Sequence, residues 1–171
     1  MSAPETIVVI GIGNILMSDE GVGVRVVERL MAEHSFPDNV EIYDGGSTGL
    51  KGLMPLIEDA DHLIVIDAIK GPGEPGALYR YSVEDFRLNI PKKLSAHDVG
   101  LLECLTYAGI NEKMPESVII IGVKPFDMTT PSMELSGAIH QKVSDLVDMS
   151  LNELRRLGAE NESVATRTER L

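Results

Sequence analysis

Cysteine is nearly absent from this chain: Cys104 is the only one in 171 residues. A lone thiol excludes an internal disulfide and a thiolate metal site, and it fits a reducing compartment, so the cytoplasm is the expected location. Basic residues are scarce as well, with Lys+Arg 15 against Asp+Glu 27 and a net charge of -12. Such a field repels phosphate backbones and anionic lipid, which argues against nucleic-acid binding. No apolar run approaches the roughly 18 residues of a membrane span, and the start, Met1-Ser2-Ala3-Pro4-Glu5-Thr6, lacks the basic segment of a secretion signal. A soluble protein with no membrane or nucleic-acid partner is expected.

What is present suffices for a core. Hydrophobic residues make up 43% of the chain and charged residues 25%, a balance that fits one folded domain over residues 1–157. The stretch 158–171 is polar with few apolar anchors and reads as a disordered tail. Short β-branched runs without polar alternation at 6–10, 63–66 and 117–123, with a further run at 40–43, read as strands buried on both faces of a sheet. Helical spacing fills 21–33, 50–57 and 95–109, and 77–81 reads as an edge strand. Thr130-Pro131 has the form of an N-cap followed by proline, which predicts one long final helix to about Leu157. Alternating strands and helices predict a doubly wound α/β fold: a three-layer sandwich with a mainly parallel sheet of about five strands and an edge strand, helices on both faces.

Ligands of such sheets sit at the carboxyl ends of the strands. There the sequence places Gly11-Ile12-Gly13-Asn14 leading to Asp19-Glu20, then Asp44-Gly45-Gly46-Ser47, then Asp67. Singly, each acid has a structural reading as a helix-end or turn carboxylate; together at one edge they favour function. Of four histidines, His34, His62 and His140 read as surface or boundary residues, whereas His97 falls in the first turn of a helix. The macrodipole there disfavours protonation and keeps an imidazole nitrogen available as a ligand. His97 with Glu20 and Asp67 is an O,O,N donor set suited to nickel, zinc or a similar cation. Cys104 lies among Leu101, Leu102 and Leu105 and reads as a buried, inert thiol. Gly11-x-Gly13 also opens a dinucleotide-type loop, but Leu16 stands where the third glycine belongs and Asp19-Glu20 where pyrophosphate would sit. A nucleotide- or flavin-binding oxidoreductase stays as the alternative class.

The run from Gly11 to Arg25, Gly-Ile-Gly-Asn-Ile-Leu-Met-Ser-Asp-Glu-Gly-Val-Gly-Val-Arg, resembles the signature of the nickel-iron hydrogenase maturation endopeptidases. Asp44-Gly45-Gly46-Ser47, Asp67-Ala68-Ile69, Ser95-Ala96-His97-Asp98-Val99-Gly100 and Ile121-Gly122-Val123-Lys124-Pro125 extend the likeness in order. Ser47 and Lys124 depart from the family's frequent threonine and glutamine. The resemblance implies a cytoplasmic hydrolase that removes a C-terminal extension from a hydrogenase large-subunit precursor once nickel is inserted; a monomer is expected. It also implies that Glu20, Asp67 and His97 are the metal-binding and catalytic positions. The nickel would be carried by the substrate, with another divalent cation able to take its place. Asp44 and Asp98 follow as candidates for loop order and for orienting His97. A non-catalytic chaperone that holds the same precursor is the other reading.

Overall fold

The computed structural model describes residues 4–46, 50–89 and 96–163. In chain order the elements are β1 (Ile7–Ile12), a 3-10 turn (Ser18–Gly21), α1 (Val22–Glu33), β2 (His34–Ser35), β3 (Val40–Gly46), α2 (Leu50–Glu58) and β4 (His62–Ala68). They continue with β5 (Leu78–Ser82), α3 (Val83–Asn89), α4 (Ala96–Ile110), β6 (Ser117–Val123), α5 (Gly137–His140), α6 (Val143–Arg156) and β7 (Glu162–Ser163).

The main sheet has the order β3-β1-β4-β6-β5, with four parallel strands and an antiparallel β5 at the edge. Every residue of β1 and β4 is buried, which explains the missing polar alternation: both faces are covered, so both side-chain rows are apolar. Ile7 and Val9 join Val22, Val26 and Leu30 of α1 and Leu146 and Leu154 of α6 in one core. Val8 and Ile10 face the other way, into a second core with Ile57 of α2, Phe86 of α3 and Leu105 of α4. These are the two outer layers of the expected sandwich. No helix among the described residues is long and apolar enough to cross a membrane.

Three local expectations change. Residues 128–136 form a loop rather than a helix start, because Ser132 is drawn into backbone pairing with Leu16 and Ser18 at 3.0 and 2.8 Å. The final helix is therefore split into α5 and α6. The seven-residue α3, which follows β5 directly, has no counterpart in the sequence reading. The fold also runs past Leu157: Ala159 is buried in the α1/α6 core and β7 pairs antiparallel with β2, so ordered packing reaches at least Ser163.

Candidate active site

The chain passes from β1 outward to β3 and returns across β1 to β4, which makes the carboxyl ends of β1 and β4 the switch point of the sheet. Two glycines bring the next elements onto that point. Gly13 has φ 139°, and a Cβ there would stand 1.9 Å from the Glu20 carbonyl oxygen. At Gly23 a Cβ would meet the carbonyl oxygens of Ile66 at 2.1 Å and Ile12 at 2.4 Å. The first turn of α1 thus rests on the last peptides of both strands, which seats Glu20, half-buried, where β1 and β4 end. Asp67, next to last in β4, is 6% exposed, and its Oδ1 accepts the Ala68 N–H at 2.7 Å.

The helix α4 is 15 residues long, about 22 Å, and a short connection joins its end to the start of β6. This connectivity returns the chain to the start of β6, which directs the first turn of α4, with the backbone of His97, toward the carboxyl edge of the sheet. The side chains of His97 and Asp98 lie outside the described residues. Asp44 is exposed at the end of β3, and its Oδ1 accepts the Gly46 N–H at 2.8 Å in a local turn. It borders a small cavity of about 250 Å³ shared with Gly13, Asn14 and Leu16. Ser47 lies outside the described residues.

Asp19 has a larger role than that of a helix-end carboxylate. It is fully buried, and it accepts the N–H groups of Phe126 at 3.0 Å, Asp127 at 2.8 Å and Ser136 at 2.7 Å, and the Ser136 hydroxyl at 2.9 Å. Its own N–H donates to the Asp127 carbonyl at 3.0 Å. One buried carboxylate thereby fastens the loop 126–136 to the turn that carries Glu20. The half-buried Asp127 stiffens the same loop: hydrogen bonds from Thr130 and Thr129 hold its carboxyl well below the usual carboxylate range. No sequence signal marks this clamp, because its partners are more than a hundred positions away. Exposed Leu16, Phe126 and Met133 extend from these segments. Beside them α1 borders a groove of about 930 Å³ lined by Arg25, Arg29, Met133, Leu135 and His140.

Two other chemistries fit poorly. Burial, aided by the Glu103 charge, pushes the Cys104 thiol up to about 11, so it is protonated and weakly nucleophilic near neutrality. A dinucleotide needs free backbone N–H groups after β1. Here those of Gly13, Ser18, Asp19 and Glu20 already donate to Gly46, Ser132, Asp127 and Met17 carbonyls.

Comparison with known proteins agrees with the geometry. Residues 24–153 match the family model HycI, hydrogenase maturation protease. The chain is 37% identical over 158 residues to the hydrogenase expression/formation protein HupD of Bradyrhizobium diazoefficiens, covering 92% of this chain and 82% of that protein. It is 34% identical over 155 residues to the hydrogenase 2 maturation protease of Escherichia coli, covering 90% and 93%. The solved structure of the hydrogenase maturating endopeptidase HybD from E. coli superposes with a TM-score of 0.88 at 31% identity, covering 94% and 99% of the two chains.

Proposed function

Because this chain belongs to the hydrogenase maturation protease family and is thus a hydrolase, we propose that it removes a C-terminal extension from a nickel-iron hydrogenase large-subunit precursor after nickel insertion. In this reading Glu20, Asp67 and His97 ligate the nickel that arrives inside the substrate. Two carboxylates and an imidazole are a donor set that a borderline cation accepts readily. A place in the first turn of α4 is one where the helix dipole disfavours a charged imidazole, which suits His97 to lone-pair donation. A precursor without nickel offers these three residues nothing to bind, so the ion reports that assembly is complete. Once docked, the substrate's cation would polarise the scissile carbonyl, since a divalent ion stabilises developing negative charge, and a carboxylate beside it would take the proton of the attacking water and pass it to the leaving amine as the C–N bond breaks.

The observation that supports the proposal is the seating of Glu20 and Asp67 at the β1/β4 switch point, to whose edge the connectivity of α4 directs its first turn. Leu16, Phe126 and Met133, apolar and exposed beside it, suit a protein substrate. The test is incubation of the protein with nickel-loaded and nickel-free precursor, read by intact mass. Only the loaded form is expected to be shortened, and Glu20→Ala, Asp67→Ala or His97→Ala should each slow cleavage by about a hundredfold or more, the scale of losing one transition-state group. Equal cutting of both precursor forms, or full activity in all three variants, overturns the proposal.

A further inference from the structure

At the opposite end of the sheet, where β1, β4 and β6 begin, Glu5, His62 and Glu116 converge. One donor atom from each lies within 4.8 Å of the others. His62, on the central strand of the three, is 8% exposed, and its ring is fixed at both nitrogens: Nδ1 lies 2.8 Å from Ser117 Oγ and Nε2 lies 2.9 Å from Glu5 Oε2. The backbones around it are fastened too. Thr6 N–H donates to Asp61 Oδ2 at 2.7 Å, His62 N–H to the Thr6 carbonyl at 3.0 Å, and Glu116 N–H to the Asp61 carbonyl at 2.7 Å. The three donors are therefore carried on a rigid strand edge.

We infer that Glu5, His62 and Glu116 form a second metal site, for a divalent cation of the zinc type. A four-coordinate ion holds oxygen and nitrogen ligands at roughly 2.0 to 2.2 Å, which places neighbouring donor atoms about 3.4 Å apart; the observed cluster, with Glu5 Oε2 at 2.9 Å from Nε2 and all three donors within 4.8 Å of one another, needs only small adjustments of two exposed glutamates. Ser117 can supply the orienting contact that ligating histidines use: with an ion bound, its Oγ would accept Nδ1–H and leave the Nε2 lone pair for the metal, in place of the hydrogen bond between Nε2 and Glu5. Among the described residues no lysine or arginine pairs with Glu5 or Glu116, so two negative charges meet at one imidazole in a chain of net charge -12. A dication balances them where a singly protonated histidine cannot. The site is separate from the proteolytic edge, because His62 and Asp67 stand at opposite ends of β4, about 17 Å apart at strand rise. Its role is structural: an ion there ties together the first residues of three adjacent strands.

The test is titration of the full chain with zinc chloride, followed through the ring nitrogen signals of each histidine by NMR. Zinc is expected to move Nε2 of His62, and Glu116→Gln, a surface change with no bearing on folding, should weaken that transition at least about tenfold. His62→Gln should remove one bound equivalent in zinc counted by mass spectrometry of dialysed protein. A titration that moves only His97, or a His62 transition of the same midpoint in Glu116→Gln, overturns the site.

Discussion

Asp19 and Glu20 are chain neighbours with opposite surroundings: the first is fully buried and accepts four hydrogen bonds, while the second is half-buried at the edge of the sheet. Asp19 is a positioning residue. Replacing one of its oxygens by an amide nitrogen turns an acceptor into a donor facing N–H groups, and hydrogen bonds to a charged acceptor are worth about 1.5 to 3 kcal/mol each. Asp19→Asn is therefore expected to lower stability by about 2 to 4 kcal/mol in urea denaturation and to slow precursor cleavage, because the turn carrying Glu20 loses its anchor. An unchanged midpoint would show that the clamp is not needed. Cys104 permits a test by pH. Its thiol is raised from an ordinary 9.0 to about 11, chiefly by burial, so the folded chain holds this proton more tightly than the unfolded chain. Its contribution is complete below pH 9 and is lost as pH rises through about 11, amounting to about 2 to 3 kcal/mol by linkage. Cys104→Ala should flatten the alkaline fall in stability relative to the parent between these values. Parallel curves for the two proteins would contradict the buried-thiol assignment.

The first turn of α1 is fixed against the sheet by backbone contact more than by side chains. Gly23 leaves no room between the helix and the carbonyl oxygens of Ile12 and Ile66, and backbone cannot move aside as a flexible side chain can. Gly23→Ala must lift α1 from β1 and β4, which strains a packed core and typically costs about 1 to 3 kcal/mol, more where the obstacle is rigid. We expect about 3 kcal/mol in urea denaturation, with the loss of cleavage exceeding what the unfolded fraction explains; near-normal activity in a folded Gly23→Ala protein would contradict the seating of Glu20. At this scale much was legible. The apolar runs of β1, β4 and β6 and the helical spacing of α1 and α4 are local patterns, and local pattern decides element type when both faces of a sheet are buried. Thr130-Pro131 misled for the same reason in reverse: the helix-start signal is local, whereas Ser132 is engaged by Leu16 and Ser18 and Ser136 by Asp19, partners that no window around residue 130 contains. The two-residue strands β2 and β7 also pair across most of the chain, with no periodicity of their own to announce them.

For the whole molecule, the rule that ligands gather at the carboxyl ends of parallel strands puts Glu20 and Asp67 among the sequence's candidates, beside Asp19 and Asp44. It said nothing about Asp19 as a clamp or His62 as a buried residue, since both depend on which distant segments meet. A similar long-range contact closes the sheet at its antiparallel edge. Arg80 of β5 makes two hydrogen bonds of 2.8 Å to Glu153 of α6, whose side chain is only 5% exposed, and Arg156 adds a third at 3.2 Å. A buried carboxylate that loses its main partner keeps its desolvation cost without compensation, an effect of about 3 to 5 kcal/mol for a fully buried pair. Arg80 is 40% exposed on its side chain and Arg156 remains, so about 2 kcal/mol is expected for Arg80→Ala. Arg80→Lys should fall between, because an ammonium cannot engage both oxygens in the parallel geometry of a guanidinium. Adding Glu153→Leu to Arg80→Ala should recover part of the loss by removing the stranded charge, whereas two independent surface effects would simply add. Urea denaturation of these three variants and the parent decides it: Arg80→Ala within about 0.5 kcal/mol of the parent, the range of ordinary surface changes, would mean that β5 is held by its ladder to β6 alone.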